Sequence, residues 1–195
     1  MKVNIGVSNR HVHLTKKDLE TLFGEGYVLT KKADLKQTGQ YACNETVTIK
    51  TEKNEFQNVR IIGPTRNYTQ VEVSASDSYF LGIKPPVRDS GDLENSETVK
   101  IIGPKGTVDA TNSTIISIRH IHMSTEDLRK YNVKDKQFVN VLVDGIKGCI
   151  LKNVLIKGDD SFVLEMHIDL DEANAMLLSN GSTVEMLLED TNGRH

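Results

Sequence analysis

Apolar and polar residues alternate with a period of two along much of this chain. Val3, Ile5 and Val7 stand between polar residues, as do Val47 and Ile49, Val71 and Val73, and Val139, Val141 and Val143. That period puts alternate side chains on opposite faces, so each run predicts a strand with one buried face. Further short strands are predicted over 59–62, 99–102, 114–118, 148–151, 154–156, 162–166 and 183–188. Asp144-Gly145, between two such runs, predicts a hairpin because the pair tolerates the positive φ values of a type I′ turn. Helices are few and short. One starts at Thr15, a good N-cap, carries Leu19, Leu22 and Phe23 on one face and stops at Gly24. Another runs from Ser124, its cap, to Tyr131, and two more are predicted over 169–178 and 75–81. Many short strands joined by Gly and Pro turns predict a mainly β fold of antiparallel barrels or sandwiches.

Two internal similarities refine that picture. Residues 8–19 read SNRHVHLTKKDL and residues 117–128 read SIRHIHMSTEDL, with Ser, Arg, His, His, Asp and Leu recurring at an offset of 109. VRIIGP at 59–64 also matches VKIIGP at 99–104. A duplicated strand–turn–helix unit predicts two related halves. Pro85-Pro86 and the loop 89–95 are the candidate linkers.

Composition narrows the class without choosing a function. The 195 residues are 37% hydrophobic and 26% charged, with a net charge of −3. Such a balance gives no chain-wide attraction to nucleic acid or acidic membranes, so a phosphate-bearing ligand needs a local cluster of Lys and Arg. Cys43 and Cys149 belong to no CxxC and form a poor disulfide framework. With no signal-peptide h-region and no membrane-length apolar run, the expectation is a soluble cytoplasmic protein with reduced thiols.

The chemistry gathers around histidine. In His11-Val12-His13 the two rings share one strand face with Cα atoms ~6.6 Å apart, which lets them converge on one ion at the ~2.0–2.1 Å that zinc prefers. A solvated strand face is the ordinary alternative for one such pair. His120-Ile121-His122 repeats the pattern, and with 6 His in the chain chance gives on the order of 0.2 pairs in all. His167, on a predicted strand ahead of a helix, is a natural third ligand, since three protein ligands with an open position define a catalytic zinc site. Glu72 shares a face with Gln70 and Ser74 opposite Val71 and Val73; by pattern alone it reads as a polar, outward Glu. Arg60 and Arg66 flank Gly63-Pro64 and, with Lys31, Lys32 and Lys53, are the anion-binding candidates, Arg through its planar fork. Arg10 and Arg119 precede the histidine pairs and are candidates for orienting them. The terminal His195 is set aside. The sequence has no Walker loop, no GxGxxG and no nucleophile elbow, so a covalent acyl-enzyme has no support.

SNRHVHLT, the GP-x-R of GPTRNYTQVEVS, RHIHM and MHIDLDEANA resemble the phosphate propanoyltransferases of propanediol-utilisation type, zinc phosphotransacylases associated with bacterial microcompartments. The resemblance runs from about residue 3 to 188. It implies two antiparallel β-barrels capped by short helices: residues 1–30 with 115–195 in the first, and 31–114 in the second. It implies two zinc ions per chain, one held by His11, His13 and Glu72 and the other by His120, His122 and His167, so that Glu72 is a ligand after all. Arg66 resembles the family's phosphate-binding Arg. Val7, Ser8, Asn9, Arg60 and Asn174, and more loosely Lys53, fall where the family contacts coenzyme A.

The activity implied is reversible transfer of a propanoyl or acetyl group between coenzyme A and phosphate, by direct attack at a dinuclear zinc site. A dinuclear zinc hydrolase of esters, thioesters or amides needs the same ligands and is the alternative. A structural or metal-buffering protein would carry closed, Cys-rich sites instead. Acyl-CoA and phosphate are the implied partners, with homo-oligomerisation left open. Microcompartment members carry an N-terminal extension, and His11 lies too near Met1 to leave room for one. A free cytosolic enzyme is therefore expected beside the encapsulated alternative.

Overall fold

The computed structural model describes residues 1–187. In chain order the elements are β1 (Lys2–Ser8), β2 (His11–His13), α1 (Lys16–Phe23), β3 (Lys31–Asp34), β4 (Tyr41–Lys50), β5 (Glu55–Gly63), β6 (Gln70–Glu72), α2 (Ala75–Leu81) and β7 (Val87–Arg88). There follow β8 (Glu97–Ile102), β9 (Thr107–Ser117), β10 (His120–Met123), α3 (Thr125–Tyr131), β11 (Phe138–Val143), β12 (Cys149–Gly158), β13 (Glu165–Asp169), α4 (Leu170–Met176) and β14 (Thr183–Leu187). Among the described residues no helix is long and apolar enough to cross a membrane.

Two compact units divide the chain. Asn9–Ser117 form one, here the inserted unit, and Met1–Ser8 with the segment from Ile118 onward form the other, the flanking unit. Residues 9–30, expected with the first barrel, belong to the inserted unit, because β2 hydrogen-bonds to β5 and β6 there. Pro85-Pro86 and the loop 89–95 are also internal to the inserted unit; the chain changes unit at 8/9 and at 117/118.

In the inserted unit β4, β5, β2, β6, β9 and β8 close into a six-stranded ring, with β3 on β4 and β7 on β9 as additions. In the flanking unit β11, β12, β10, β13, β1 and β14 close the same way. The mainly β, two-barrel expectation is borne out. Period two gives the faces of a strand but not its partner, and each ring contains two parallel pairings: β2–β5 and β6–β9 in one, β10–β12 and β1–β13 in the other.

The two orders correspond strand for strand, β2 to β10, β5 to β12, β6 to β13 and β9 to β1. The correspondence carries an exchange: β1 leads into β2 of the inserted barrel yet completes the flanking one, while β9 leads into β10 of the flanking barrel yet completes the inserted one. The repeated VRIIGP and VKIIGP segments follow a different logic. They lie on β5 and β8, neighbours of β4 within one barrel.

Each barrel closes on its own apolar core, with Val12, Ile49, Ile61, Val71 and Ile101 in one and Ile5, Ile121, Val141, Ile156 and Met166 in the other. The predicted helices form with their caps: Thr15 accepts from the Asp18 amide, and Ser74, Ser124 and Asp169 each close a capping box. Residues 148–151 and 154–156, read as two strands, belong to β12, whose period breaks at a register shift where Asn153 takes φ 58°. The strand expected over 162–166 starts at Glu165, because the Phe162 amide turns back to the Asp159 carbonyl. The Asp144-Gly145 hairpin forms, with Gly145 at φ 121°, but the Gly148 amide closes its loop on the Gly145 carbonyl. The last residue of the strand predicted over 183–188, and His195, lie outside the described residues.

Gly103 shows how closely α1 approaches β8. A Cβ there would sit 2.5 Å from the Leu22 carbonyl oxygen and 2.7 Å from its Cβ. Gly103→Ala is therefore expected to destabilise the protein by about 1–3 kcal/mol through overpacking. Urea denaturation followed by circular dichroism checks this, and an unchanged midpoint would contradict the close approach.

Candidate metal centres

Both histidine pairs sit on short strands held between a parallel and an antiparallel neighbour. In β2, His11 lies opposite Glu72 of β6 and His13 opposite Gln70. In β10, His120 lies opposite His167 of β13 and His122 opposite Glu165. The corresponding positions thus carry Glu72 and His167 at one place, and Gln70 and Glu165 at the other.

In the inserted unit the rings of His11 and His13 stand 4.9 Å apart. His11 Nδ1 donates to the Asn9 carbonyl at 2.9 Å and His13 Nδ1 to the Ile62 carbonyl at 3.1 Å. A carbonyl only accepts, so these bonds leave both Nε2 lone pairs to face the cluster. The Nε2 atoms lie 3.6 and 4.0 Å from Glu72 Oε1, near the roughly 3.3 Å edge of a tetrahedron with zinc–ligand distances of ~2.0–2.1 Å. Burial would lower the pKa of His11, but the adjacent Glu72 carboxylate outweighs it and the net shift is upward. Burial, then the charges of His11 and Arg66, hold His13 well below the usual histidine range.

A buried amide stands behind Glu72. Gln70 is fully buried; its Nε2 donates to Glu72 Oε1 at 2.6 Å and to Ser90 Oγ at 2.9 Å, while its Oε1 accepts from the Gly91 amide at 2.8 Å. The 90–91 loop therefore covers Gln70, while Ser74, also buried, caps α2, so this face is not a solvated one. Arg66 is anchored by its amide on the Leu14 carbonyl, and one guanidinium nitrogen lies 3.3 Å from Ser90 Oγ and 3.5 Å from the Tyr68 hydroxyl. Arg66 thus stands beside the first cluster, where its charge helps to lower the pKa of His13 and opposes, without reversing, the upward shift of His11.

In the flanking unit His120 Nδ1 donates to the Ile118 carbonyl at 2.8 Å, repeating the bond of His11. The ring of His122 packs 4.3 Å from that of Phe162, and both His120 and His122 are buried. His167 Nε2 donates to Glu165 Oε2 at 2.9 Å. Each triad, His11–His13–Glu72 and His120–His122–His167, brings one ligand atom per residue within 4.8 Å of the others. Imidazole and carboxylate without thiolate suit a borderline ion such as zinc.

The other candidates fall in several places. Arg10 pairs with Asp77 at 2.5 Å and lies over the Phe56 ring, and Arg119 pairs with Glu172 at 2.8 Å. Asp77 and Glu172 are the capping-box carboxylates of α2 and α4, so the two arginines tie the approach to each histidine strand to a helix start rather than gripping a ring. Arg60, opposite His11, turns to the carbonyls of Cys43 and Asn44 at 2.7 and 3.1 Å. Lys53 lies over the Tyr79 ring, Lys31 pairs with Asp34, and Lys32 is an exposed residue of β3. Val7 and Ser8 end β1, with the Val7 amide on the Asn180 side chain; Asn9 follows, and Asn174 lies in α4. Gln70, Ser90 and Glu165 were not among the candidates. Glu165-x-His167 has the i, i+2 spacing that would have marked it.

Comparison with known proteins places this duplicated barrel among acyltransferases. The profile of the phosphate propanoyltransferase family matches residues 4–179. A phosphate propanoyltransferase of Thermotoga maritima is 53% identical over 181 residues, covering 92% of this chain and 86% of that protein. Relatives of the same name from Priestia megaterium and Lachnoclostridium phytofermentans are 51% and 50% identical, covering 93% and 95% of this chain and 83% and 87% of their own. The chain belongs to the phosphate propanoyltransferase family, as its four motifs led one to expect.

Proposed function

We propose that this protein is a zinc-dependent phosphotransacylase of the cytoplasm, exchanging a propanoyl or acetyl group between coenzyme A and inorganic phosphate. The observation that carries the zinc reading is the pair of three-donor clusters at corresponding positions of two barrels, with Nδ1–H bonds turning the His11 and His13 Nε2 atoms inward. Family membership carries the reaction.

His11, His13 and Glu72 hold one ion and His120, His122 and His167 the other. Bound zinc supplies Lewis acidity toward a carbonyl and a soft site for a thiolate. The protein's own part is positioning. Phosphate is a poor nucleophile toward a thioester unless it is held in line, and the planar fork of Arg66 offers two parallel N–H donors to it. A phosphate oxygen attacks the carbonyl carbon, the carbon–sulfur bond breaks, and coenzyme A departs as thiolate, leaving acyl phosphate. Val7, Ser8, Asn9, Lys53, Arg60 and Asn174 are the proposed coenzyme A contacts.

Phosphate dependence tests the reading. Coenzyme A release from propanoyl- and acetyl-CoA is expected to require phosphate and to yield a product trapped by hydroxylamine. Equal thioester cleavage in phosphate-free buffer would make the protein a metal hydrolase instead.

A further inference from the structure

Corresponding positions of the two clusters divide the same two jobs differently. In the inserted unit the carboxylate stands opposite the first histidine, at Glu72, and a neutral amide, Gln70, stands opposite the second. In the flanking unit an imidazole, His167, stands opposite the first histidine, and the carboxylate, Glu165, stands opposite the second. Each cluster thus contains one carboxylate, shifted by two residues along its strand.

Glu165 is built into that place. Its residue exposure is 8% and its Oε2 accepts from His167 Nε2 at 2.9 Å. Its carboxyl group lies across the backbone of β1 at Gly6, where a Cβ would approach Glu165 Cδ to 2.9 Å, so the groove it occupies exists because residue 6 has no side chain. Gly6 is the strand partner of His167, which puts the carboxylate and the ring it holds over one point of the sheet. A buried carboxylate is costly without a compensating positive charge. A cation held among His120, His122 and His167 would add a favourable charge beside it, as one between His11 and His13 would beside Glu72.

We propose that Glu165 is a positioning residue of the second metal centre: its carboxylate fixes the ring of His167 and gives the flanking cluster the negative charge that Glu72 gives the inserted one. This rests on the zinc reading above, and the experiment separates the two. Metal-free protein is titrated with zinc against a competing chromophoric chelator, with circular dichroism as a control for folding. Wild type is expected to take up two ions, one per cluster. Glu165→Gln is expected to keep one at wild-type affinity and to weaken the other about 10–100-fold, the usual effect of removing a carboxylate behind a ligating histidine. The double variant Glu165→Gln/His167→Glu installs in the flanking barrel the side chains that Gln70 and Glu72 present in the inserted one. It is expected to bring the second ion back to within about tenfold of wild type, a recovery from the 10–100-fold loss that a merely structural role for Glu165 would not produce.

Two tight ions with unchanged affinities in Glu165→Gln would overturn the role of Glu165 and leave the zinc reading standing. No zinc uptake by wild type would overturn both. If Glu165→Gln does not fold, the double variant decides alone: a recovered second ion supports the assignment and a lost one refutes it.

Discussion

Replacing His13 or His122 with Ala is expected to remove one zinc ion from each chain and to lower kcat/KM by roughly 10³-fold, about 4 kcal/mol of transition-state stabilisation. The two substitutions are equivalent by construction, since each removes the second imidazole of a His-x-His strand. His13 is 2% exposed and His122 6%, so neither ring is replaceable by solvent without rearrangement. A three-donor cluster reduced to two donors loses most of its hold on an ion, and the loss falls on one cluster only because the other lies on a different barrel. Elemental analysis of desalted protein reads the stoichiometry, and the phosphate-dependent assay reads the rate. Full activity in either variant, or active wild-type protein without transition metal, would end the zinc account.

Arg66→Ala is expected to cost about 2–4 kcal/mol in transition-state stabilisation, the range for removing a donor aimed at developing negative charge. Arg66→Lys keeps the charge and loses the fork. It should raise the apparent KM for phosphate while sparing that for acyl-CoA. Neither change should remove zinc or lower the melting temperature much. The guanidinium's own bonds, to Ser90 and Tyr68, are long at 3.3 and 3.5 Å, and the short bond that seats residue 66 is made by its amide on the Leu14 carbonyl. Phosphate-saturation kinetics at fixed acyl-CoA discriminates. A wild-type KM and kcat in both variants would mean that Arg66 is a surface charge and that phosphate binds elsewhere.

What could be read from the sequence follows from which physics is local. Caps and helix faces depend on residues within four positions of one another, and among the described residues the four helices lie where Thr15, Ser74, Ser124 and Asp169 start them. Strand faces are equally local, which is why the two His-x-His pairs declared themselves. Pairing is not local. Nothing in the alternation of Val71 and Val73 tells that β6 runs parallel to β9, or that the loop at Ser90–Gly91 folds over Gln70 and buries it. Glu72 looked like a solvated residue for that reason, and only the family motif marked it otherwise. Glu165 shares a strand face with His167, a relation as local as that within each His-x-His pair. The family resemblance keeps residues 9–30 with β1, whereas the partners of β2, which are β5 and β6, hold them in the inserted unit, and sequence alternation does not reveal those partners.

The exchange of β1 and β9 gives the chain the connectivity of two segments that trade a strand. Cut between Ile102 and Thr107, the chain falls into two segments, each opening with a strand that completes the other's barrel and keeping the other five ring strands for itself. Reciprocal donation of one strand is the signature of a domain-swapped homodimer. Two subunits of such a dimer, joined tail to head by a single gene fusion, give this connectivity, including the 109-residue offset between the histidine motifs. The two segments are nevertheless not copies at their histidine clusters, since one carboxylate stands at position 72 and the other at 165, two residues apart in barrel register.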